Sequence, residues 1–321
     1  MVVGAGITGL SAAAAARDLG LSVTVIDDAR PTGATNAAAG MLAPFSEAIL
    51  GDAELGSQML EAFSMWDSWR RGVNVADDLF ELVPTYFAPG TFGDRQEILR
   101  WSRDAGVPLE PHGELLRGPL EAVTSPRELL RHLQDQLAQS GVVFEHGEVA
   151  GVTEKDSSVI VTFNDDATLR GDAAIIATGA SSVLASDALA IRPVRGSLVI
   201  LSGPTREHSH VTRVLRHGRS LYIIRRRSGE VVIGATSVET SVNIAEAGEL
   251  QLLLSDAIDA CPELREMAFR EVRTGLRPTA TSNTLDCRVS PQGLFLQLAG
   301  HYRHGVLMAP LSYRTAQEFL S

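Results

Sequence analysis

The chain opens Met1-Val2-Val3-Gly4-Ala5-Gly6-Ile7-Thr8-Gly9, continues through an alanine-rich stretch to Asp18, and then reads Val23-Thr24-Val25-Ile26-Asp27. A β-branched strand, a Gly-x-Gly-x-x-Gly turn, a helix and a second strand ending on an acid together form a dinucleotide-binding unit. Gly4 permits the tight strand-to-helix turn, Gly6 lets backbone N–H groups approach a pyrophosphate, and Gly9 lets the helix lie close to the sheet. The pyrophosphate then meets the positive end of the helix dipole. Asp27 falls 18 residues after Gly9, near the spacing of about 20 at which a carboxylate accepts ribose hydroxyls. Asp28 joins it as a candidate cofactor contact. A carboxylate here disfavours a 2′-phosphate, so NAD or FAD is expected rather than NADP. Only three residues precede Gly4, whereas a strand usually runs about 5–6; either the chain begins earlier or the first strand is short.

Length and composition bound the rest. With 321 residues the chain exceeds the usual single-domain size, and two domains are expected. Hydrophobic residues make up 45% and charged residues 21%, enough to bury a substantial core. A net charge of −11 argues against nucleic acid as a partner. Arg225-Arg226-Arg227 is the sharp basic cluster, read as a solvated turn. No apolar run reaches the 18 residues of a membrane span, and no charged segment precedes an apolar one at the N-terminus, so neither a membrane span nor export is expected. Cys261 and Cys287 are too few for a disulfide framework and no spacing suggests a metal site. A cytoplasmic protein without metal fits.

Beyond Asp27, Pro31–Asn36 is turn-rich and leads to Ala37-Ala38-Ala39-Gly40-Met41-Leu42, small residues that let backbone lie against something large. Leu55, Met59, Phe63, Trp66 and Trp69 recur at helical spacing, read as core packing. Ser125-Pro126-Arg127-Glu128 reads as a capping box opening a helix to about Gln139. Strands are expected at Leu82–Phe87, Val142–Glu145, Val149–Glu154, Val159–Phe163 and Ala173–Ala177, the last exiting tightly through Thr178-Gly179. After Pro193 the pattern turns antiparallel, with Ser197–Leu201 and a Leu221–Arg226/Val231–Thr236 hairpin turning at Gly229. A helix near Glu246–Ala260, a strand ending at Gly275-Leu276-Arg277-Pro278, a strand Leu294–Ala299, the run Gly300–Gly305 and a last helix complete the order. The expected domains are 1–78, 122–194 and 275–321 for the nucleotide and 79–121 and 195–274 for the substrate.

Taken in order, Gly4–Gly9, Ala38-Ala39-Gly40-Met41-Leu42, Ala177-Thr178-Gly179, Pro193-Val194-Arg195-Gly196, Gly234-Ala235-Thr236, Gly275–Pro278 and Gly300-His301-Tyr302-Arg303 resemble the glycine oxidase branch of the FAD-dependent D-amino-acid oxidase family. The resemblance spans essentially the whole chain. It implies an α/β fold, a Rossmann-like FAD-binding domain with an inserted antiparallel-sheet substrate domain. It also implies noncovalent FAD, touched at the pyrophosphate by Ile7 and Thr8 and at the adenosine ribose by Asp27, with Gly4, Gly6, Gly9 and Asp28 among the cofactor-binding residues. Ala34, Thr35, Ala39, Gly40 and Met41 would line the flavin end, Val149 would meet the adenine through its backbone, and Gly179 would join the cradle. His301, Tyr302, Arg303, His304, Gly305, Val306 and Leu307 would lie along the isoalloxazine, where N–H groups at a helix start favour negative charge.

By the same resemblance, Arg277 holds the substrate carboxylate, for which a guanidinium fork is a bidentate match. Arg303 is a second carboxylate contact, and the Tyr222 hydroxyl a third. The alternatives are a structural salt bridge for Arg277, neighbouring carbonyls for Arg303 and simple core packing for Tyr222. No strong side-chain base is required of His301 or His304, and His217 reads as a solvated loop histidine; catalysis rests on orientation and desolvation while hydride leaves the α-carbon for the flavin. Molecular oxygen would then yield hydrogen peroxide, and the imine would hydrolyse. An FAD dehydrogenase feeding a quinone or partner protein, a D-amino-acid oxidase, and a flavin-binding protein without turnover are the rivals; the family often forms homo-oligomers. Three departures suggest an altered pocket wall: Thr281–Cys287 after Arg277-Pro278, Arg216 where the family has a tyrosine, and Tyr313 where a small glycine is usual. An altered wall would admit sarcosine or a larger N-substituted glycine.

Overall fold

A computed structural model describes residues 1–30, 33–50, 56–181, 189–280 and 285–321, and the backbone of 184–185. Pro31, Thr32, Leu55 and the departing run 281–284 lie outside the described residues. Two sheets organise the molecule. The first has six strands in the spatial order Asp286–Val289, Phe295–Ala299, Ala174–Ile176, Val2–Val3, Thr24–Asp27, Val143–His146. All neighbours are parallel except the Asp286–Val289 edge. Chain order therefore reverses at Val2–Val3, and such a switch point opens a crevice at the carboxyl ends of the strands.

The first strand is two residues long. It enters helix Ile7–Asp18, whose Leu10 and Ala12–Ala15 are at most 1% exposed. Alanine is the best helix former and its small side chain lets the helix pack on both sides. Two glycines fix the junction. Gly4 has φ +104°, and a Cβ on Gly9 would stand 1.8 Å from the Gly4 carbonyl oxygen.

The second sheet has ten strands, mostly antiparallel. Its centre runs Arg192–Ser202, Glu230–Gly234, Arg219–Arg225, His210–Arg216, Glu81–Pro89 and Leu115–Val123, with Ala268–Thr279 also paired on Arg192–Ser202. The expected boundaries at 194/195 and 274/275 fall inside strands Arg192–Ser202 and Ala268–Thr279. A smaller sheet of Thr168–Gly171, Ser158–Phe163, Val149–Lys155 and Leu184–Ala185 brings Val149 to the cavity wall. Met59, Trp66 and Trp69 of helix Gly56–Gly72 are buried, as their spacing requires, and the Trp66 indole N–H donates to the Leu307 carbonyl.

Two local expectations fail, and one strand has no counterpart among the expected elements. Ser125 does precede helix Pro126–Gln139, but its side chain makes no capping bond. Arg225 and Arg226 are not solvated: Arg225 pairs with Glu263, and Arg226 donates to the Ala39 and Thr124 carbonyls at 2.9 and 2.8 Å. The strand period turns Arg225 to one face of the sheet and Arg226 to the other, so both guanidiniums find partners before the turn begins. Strand His210–Arg216 was not foreseen, because its Arg213 and Thr212 break the apolar alternation while being buried themselves.

Candidate active site

A single cavity of about 1040 Å³ begins at the switch point and extends to the ten-stranded sheet. It stands at the upper end of the roughly 300–1,000 Å³ typical of ligand pockets. Every candidate site residue but one lies on its wall. The exception is Gly9, which serves the helix–sheet contact and leaves the cofactor wall to its neighbours.

At the dinucleotide end the wall is backbone and small side chains. The Asp27 carboxylate accepts from the Ala5 N–H at 2.6 Å and from the Ala29 N–H at 2.7 Å. These bonds fix the acid at the strand end while it still faces the cavity. Asp28 is occupied differently, by Arg30 Nε at 2.7 Å, and that partner lowers its pKa. A Cβ on Gly6 would approach no protein atom closer than Thr35 Oγ1, at 3.6 Å. Space beside Gly6 is therefore room in the cavity, not packing, and it opens at the first turn of helix Ile7–Asp18, which holds no acidic residue. Thr35 Oγ1 accepts the Ile7 N–H at 3.3 Å and so ties the second wall segment to the helix start. The cavity, the N-terminal helix turn, the open glycine and the strand-end acid fit an extended dinucleotide.

At the other end long side chains take over, and sheet pairing aims them. Arg277 sits opposite Val194, next to the Gly196/Gly275 pair. A Cβ on Gly196 would stand 2.0 Å from the Arg277 guanidinium, so this glycine is the slot through which the arginine reaches the cavity. Gly234, opposite Tyr222, does the same: a Cβ there would stand 2.2 Å from the tyrosine hydroxyl. Arg277 Nη1 donates to the Thr236 carbonyl at 3.1 Å, and its guanidinium lies 5.8 Å from the Tyr302 ring. Among the described residues no carboxylate forms an ion pair with Arg277. Burial, with Arg303 nearby, lowers its pKa, as expected of a cation short of an anion. Burial raises the Tyr222 pKa and keeps the phenol neutral.

Tyr302 has φ +47°, strain that clusters at functional positions. Its hydroxyl meets Ser237 Oγ and Arg303 Nη2, each at 2.9 Å. Burial would raise its pKa, but Arg303 and these hydrogen bonds prevail and lower it. His301 is buried against Ser312 Oγ at 3.1 Å, and burial lowers its pKa to about 4. It is neutral at physiological pH, in keeping with a site that uses no imidazolium. Gly305, Val306 and Leu307 line the cavity just ahead of helix Ala309–Leu320.

Glu47 and Arg213 also line this end, and no local motif had marked them. They pair at 2.5 Å, both nearly fully buried, and Arg303 Nη1 lies 3.8 Å from the second Glu47 oxygen. Burial opposes the Glu47 charge, but Arg213, Arg303 and His304 overcome it and lower its pKa to about 2. Glu121 behind them is buried on the Ser46 N–H and Thr85 hydroxyl, and burial raises its pKa.

Two departures thought to reshape the pocket wall lie elsewhere. Arg216 is off the cavity wall and pairs with Asp259 at 3.4 Å, because it ends its strand at the turn. Tyr313 sits one helix face away and donates to Asp18 at 2.7 Å. His217 is in that same exposed turn.

Fold and site together define a flavin-dependent oxidoreductase. The chain belongs to the FAD dependent oxidoreductase family, whose description it matches over residues 1–317. It is 27% identical to the bifunctional protein ThiO/ThiG of Nostoc sp. over 97% of this chain, but spans about half (51%) of that relative's length. The glycine oxidase of Pseudomonas aeruginosa is also 27% identical, over 100% of this chain and 94% of the relative. Among solved structures, iminodiacetate oxidase from Chelativorans sp. BNC1 superposes with a TM-score of 0.85 at 22% identity, covering 99% of this chain and 94% of the other. Glycine oxidase from Geobacillus kaustophilus follows at 0.84 and 22%, covering 98% and 91%. FAD is therefore the cofactor, and NAD is set aside. Among the described residues no helix is long and apolar enough to cross a membrane.

Proposed function

We propose that the chain oxidises glycine or an N-substituted glycine, converting amine, water and oxygen into glyoxylate, ammonia or the freed amine, and hydrogen peroxide. Bound FAD supplies the hydride acceptor. The protein supplies orientation. Arg277, threaded past Gly196, takes the carboxylate, and Tyr222 and Arg303 add donors to the same anion. Fixing that end fixes the α-carbon relative to the 301–307 wall. Reaction partners held at near-attack distance gain much of their rate from orientation alone. His301 and Glu47, each with a lowered pKa, are weak bases, consistent with an amine that reacts unprotonated.

The observation that carries this reading is the cavity-facing Arg277 guanidinium, which has no carboxylate partner among the described residues. The named glycine oxidase relatives support the same substrate class. With Arg216 and Tyr313 off the wall, two of the three departures give no support to bulky N-substituents, and the smallest substrates are expected to be the best. Peroxide release from glycine, sarcosine, N-ethylglycine and D-alanine tests this. Highest kcat/KM for glycine or sarcosine supports the proposal; D-alanine well above both would replace it with a D-amino-acid oxidase.

A further inference from the structure

We propose that the Tyr302 hydroxyl is a positioning group for Arg303: with Ser237 it holds that guanidinium beside Arg277, so that both arginines are aimed at one carboxylate before substrate arrives. The inference rests on the substrate reading above and deepens it.

Charge creates the need for such a group. Arg277 and Arg303 both line the cavity, and Arg303 adds to the burial that lowers the Arg277 pKa, as two like charges at close quarters do. Until an anion arrives they repel. The Arg303 side chain is 37% exposed and would turn toward water unless held. Tyr302 answers to both cations. The Arg303 guanidinium stands 4.7 Å and the Arg277 guanidinium 5.8 Å from its ring centroid, within the range at which an aromatic face attracts a cation. The hydroxyl accepts from Arg303 Nη2 at 2.9 Å and shares a second hydrogen bond, also 2.9 Å, with Ser237 Oγ.

The anchor of that hydroxyl leads back to Arg277. Ser237 follows Thr236, whose carbonyl accepts from Arg277 Nη1 at 3.1 Å. Thr236 is fixed in turn on strand Arg192–Ser202. Its N–H donates to the Ser197 carbonyl at 3.0 Å and its hydroxyl accepts the Ser197 N–H at 2.9 Å, one residue past the Gly196 slot. On the other side, the Tyr302 N–H donates to the Pro278 carbonyl at 2.8 Å, and His301 bridges to Thr279, on the strand that carries Arg277. The bonds close a ring from Arg277 through Thr236, Ser237 and Tyr302 to Pro278, and the Arg303 guanidinium joins it at the Tyr302 hydroxyl. This closure accounts for the φ of +47° at Tyr302, since strained backbone persists where its surroundings over-determine it. Donors ordered in advance bind an anion more tightly than donors ordered on its arrival.

The test uses the FAD-loaded full chain and acetate, followed by perturbation of the flavin absorbance, so that it does not depend on turnover. Tyr302→Phe keeps the ring and removes the hydroxyl. It is expected to weaken acetate about tenfold, with FAD content and melting temperature at the parent level, and Ser237→Ala is expected to lose less. With glycine, the loss should fall on KM more than on kcat. The deciding arm is Arg303→Met: in that background Tyr302→Phe should have no further effect, because a group that acts through Arg303 has nothing left to position. Parent-like acetate affinity in Tyr302→Phe overturns the inference. So does an undiminished loss in the Arg303→Met background, which would mean that the hydroxyl meets the anion itself, and so does loss of FAD, which would assign it to the cofactor. Arg277→Met measured alongside separates the two claims. Acetate weakened there with Tyr302→Phe silent removes only the role of Tyr302; acetate unaffected there removes the substrate reading.

Discussion

Toward Asp27 the cavity is walled by backbone, glycine and short side chains, whereas toward Arg277 it is walled by long cations, tyrosines and a buried carboxylate. The first wall comes from consecutive residues of a parallel βα unit. The second is assembled from strands far apart in the chain that meet only through antiparallel pairing. A pyrophosphate and ribose ask for N–H groups, space and one acid, which a short motif can provide. A small carboxylate asks for directed charge, and directing a guanidinium takes an opposing strand with a gap in it, here Gly196.

That contrast can be broken most forcefully at Gly9. Gly9→Ala puts a methyl 1.8 Å from the Gly4 carbonyl oxygen, and only backbone movement relieves it. Overpacking of this kind costs roughly 3 kcal/mol or more. Thermal unfolding of the variant should fall sharply and bound FAD should vanish with it; a near-native melting curve would show that the helix does not need its close approach.

The charged wall is expected to fail through its ion pair. Arg213→Met strands the Glu47 carboxylate, a loss of about 3–5 kcal/mol for a buried pair broken on one side. The pH dependence follows from the depressed Glu47 pKa of about 2. A carboxylate shifted down from its unfolded value contributes stability above about pH 4.5. That contribution is lost as pH falls through about 2 and amounts to about 3 kcal/mol. Urea unfolding at pH 7, 4.5 and 3 should show this acid-labile increment in the parent and not in Arg213→Met. Equal stability of the two proteins at pH 7 would rule out the pair as a support of the site.

A gentler change sharpens the contrast. Gly6→Ala places its methyl in cavity space, 3.6 Å from the nearest protein atom. The apoprotein should melt within a few degrees of the parent, while FAD affinity drops about tenfold or more because the methyl takes pyrophosphate room. Reduced stability with unaltered FAD affinity would mean Gly6 is there for packing.

The dinucleotide half was legible because its logic is local: strand, glycines, helix and acid lie within 27 residues. Arg277 and Tyr222 were legible only through resemblance; what aims them, a glycine on the paired strand beside each, emerges from register. Glu47 and Arg213 were missed because 166 positions separate them. Glu47 lies on helix Pro44–Leu50, tied through the Ser46 N–H to Glu121 on strand Leu115–Val123. Arg213 reaches it because Glu81–Pro89 pairs with both that strand and His210–Arg216, which no period in the sequence announces. Tyr313 and Arg216 were misjudged for a related reason. Departure from a family pattern says that a position changed, but which way its side chain turns is set by helix phase and by where the strand stops. Arg225 and Arg226 teach the same lesson, since charge clustered at a turn was mistaken for charge in water.

The account turns on a guanidinium that meets the substrate's acid group. The direct measurement is the dissociation constant of acetate for FAD-loaded Arg277→Met, read from the flavin spectrum beside the parent protein. Loss of one charge-assisted bidentate contact predicts affinity lower by about 10²-fold, with FAD content and melting temperature unchanged. Acetate bound as tightly by the variant as by the parent would contradict it.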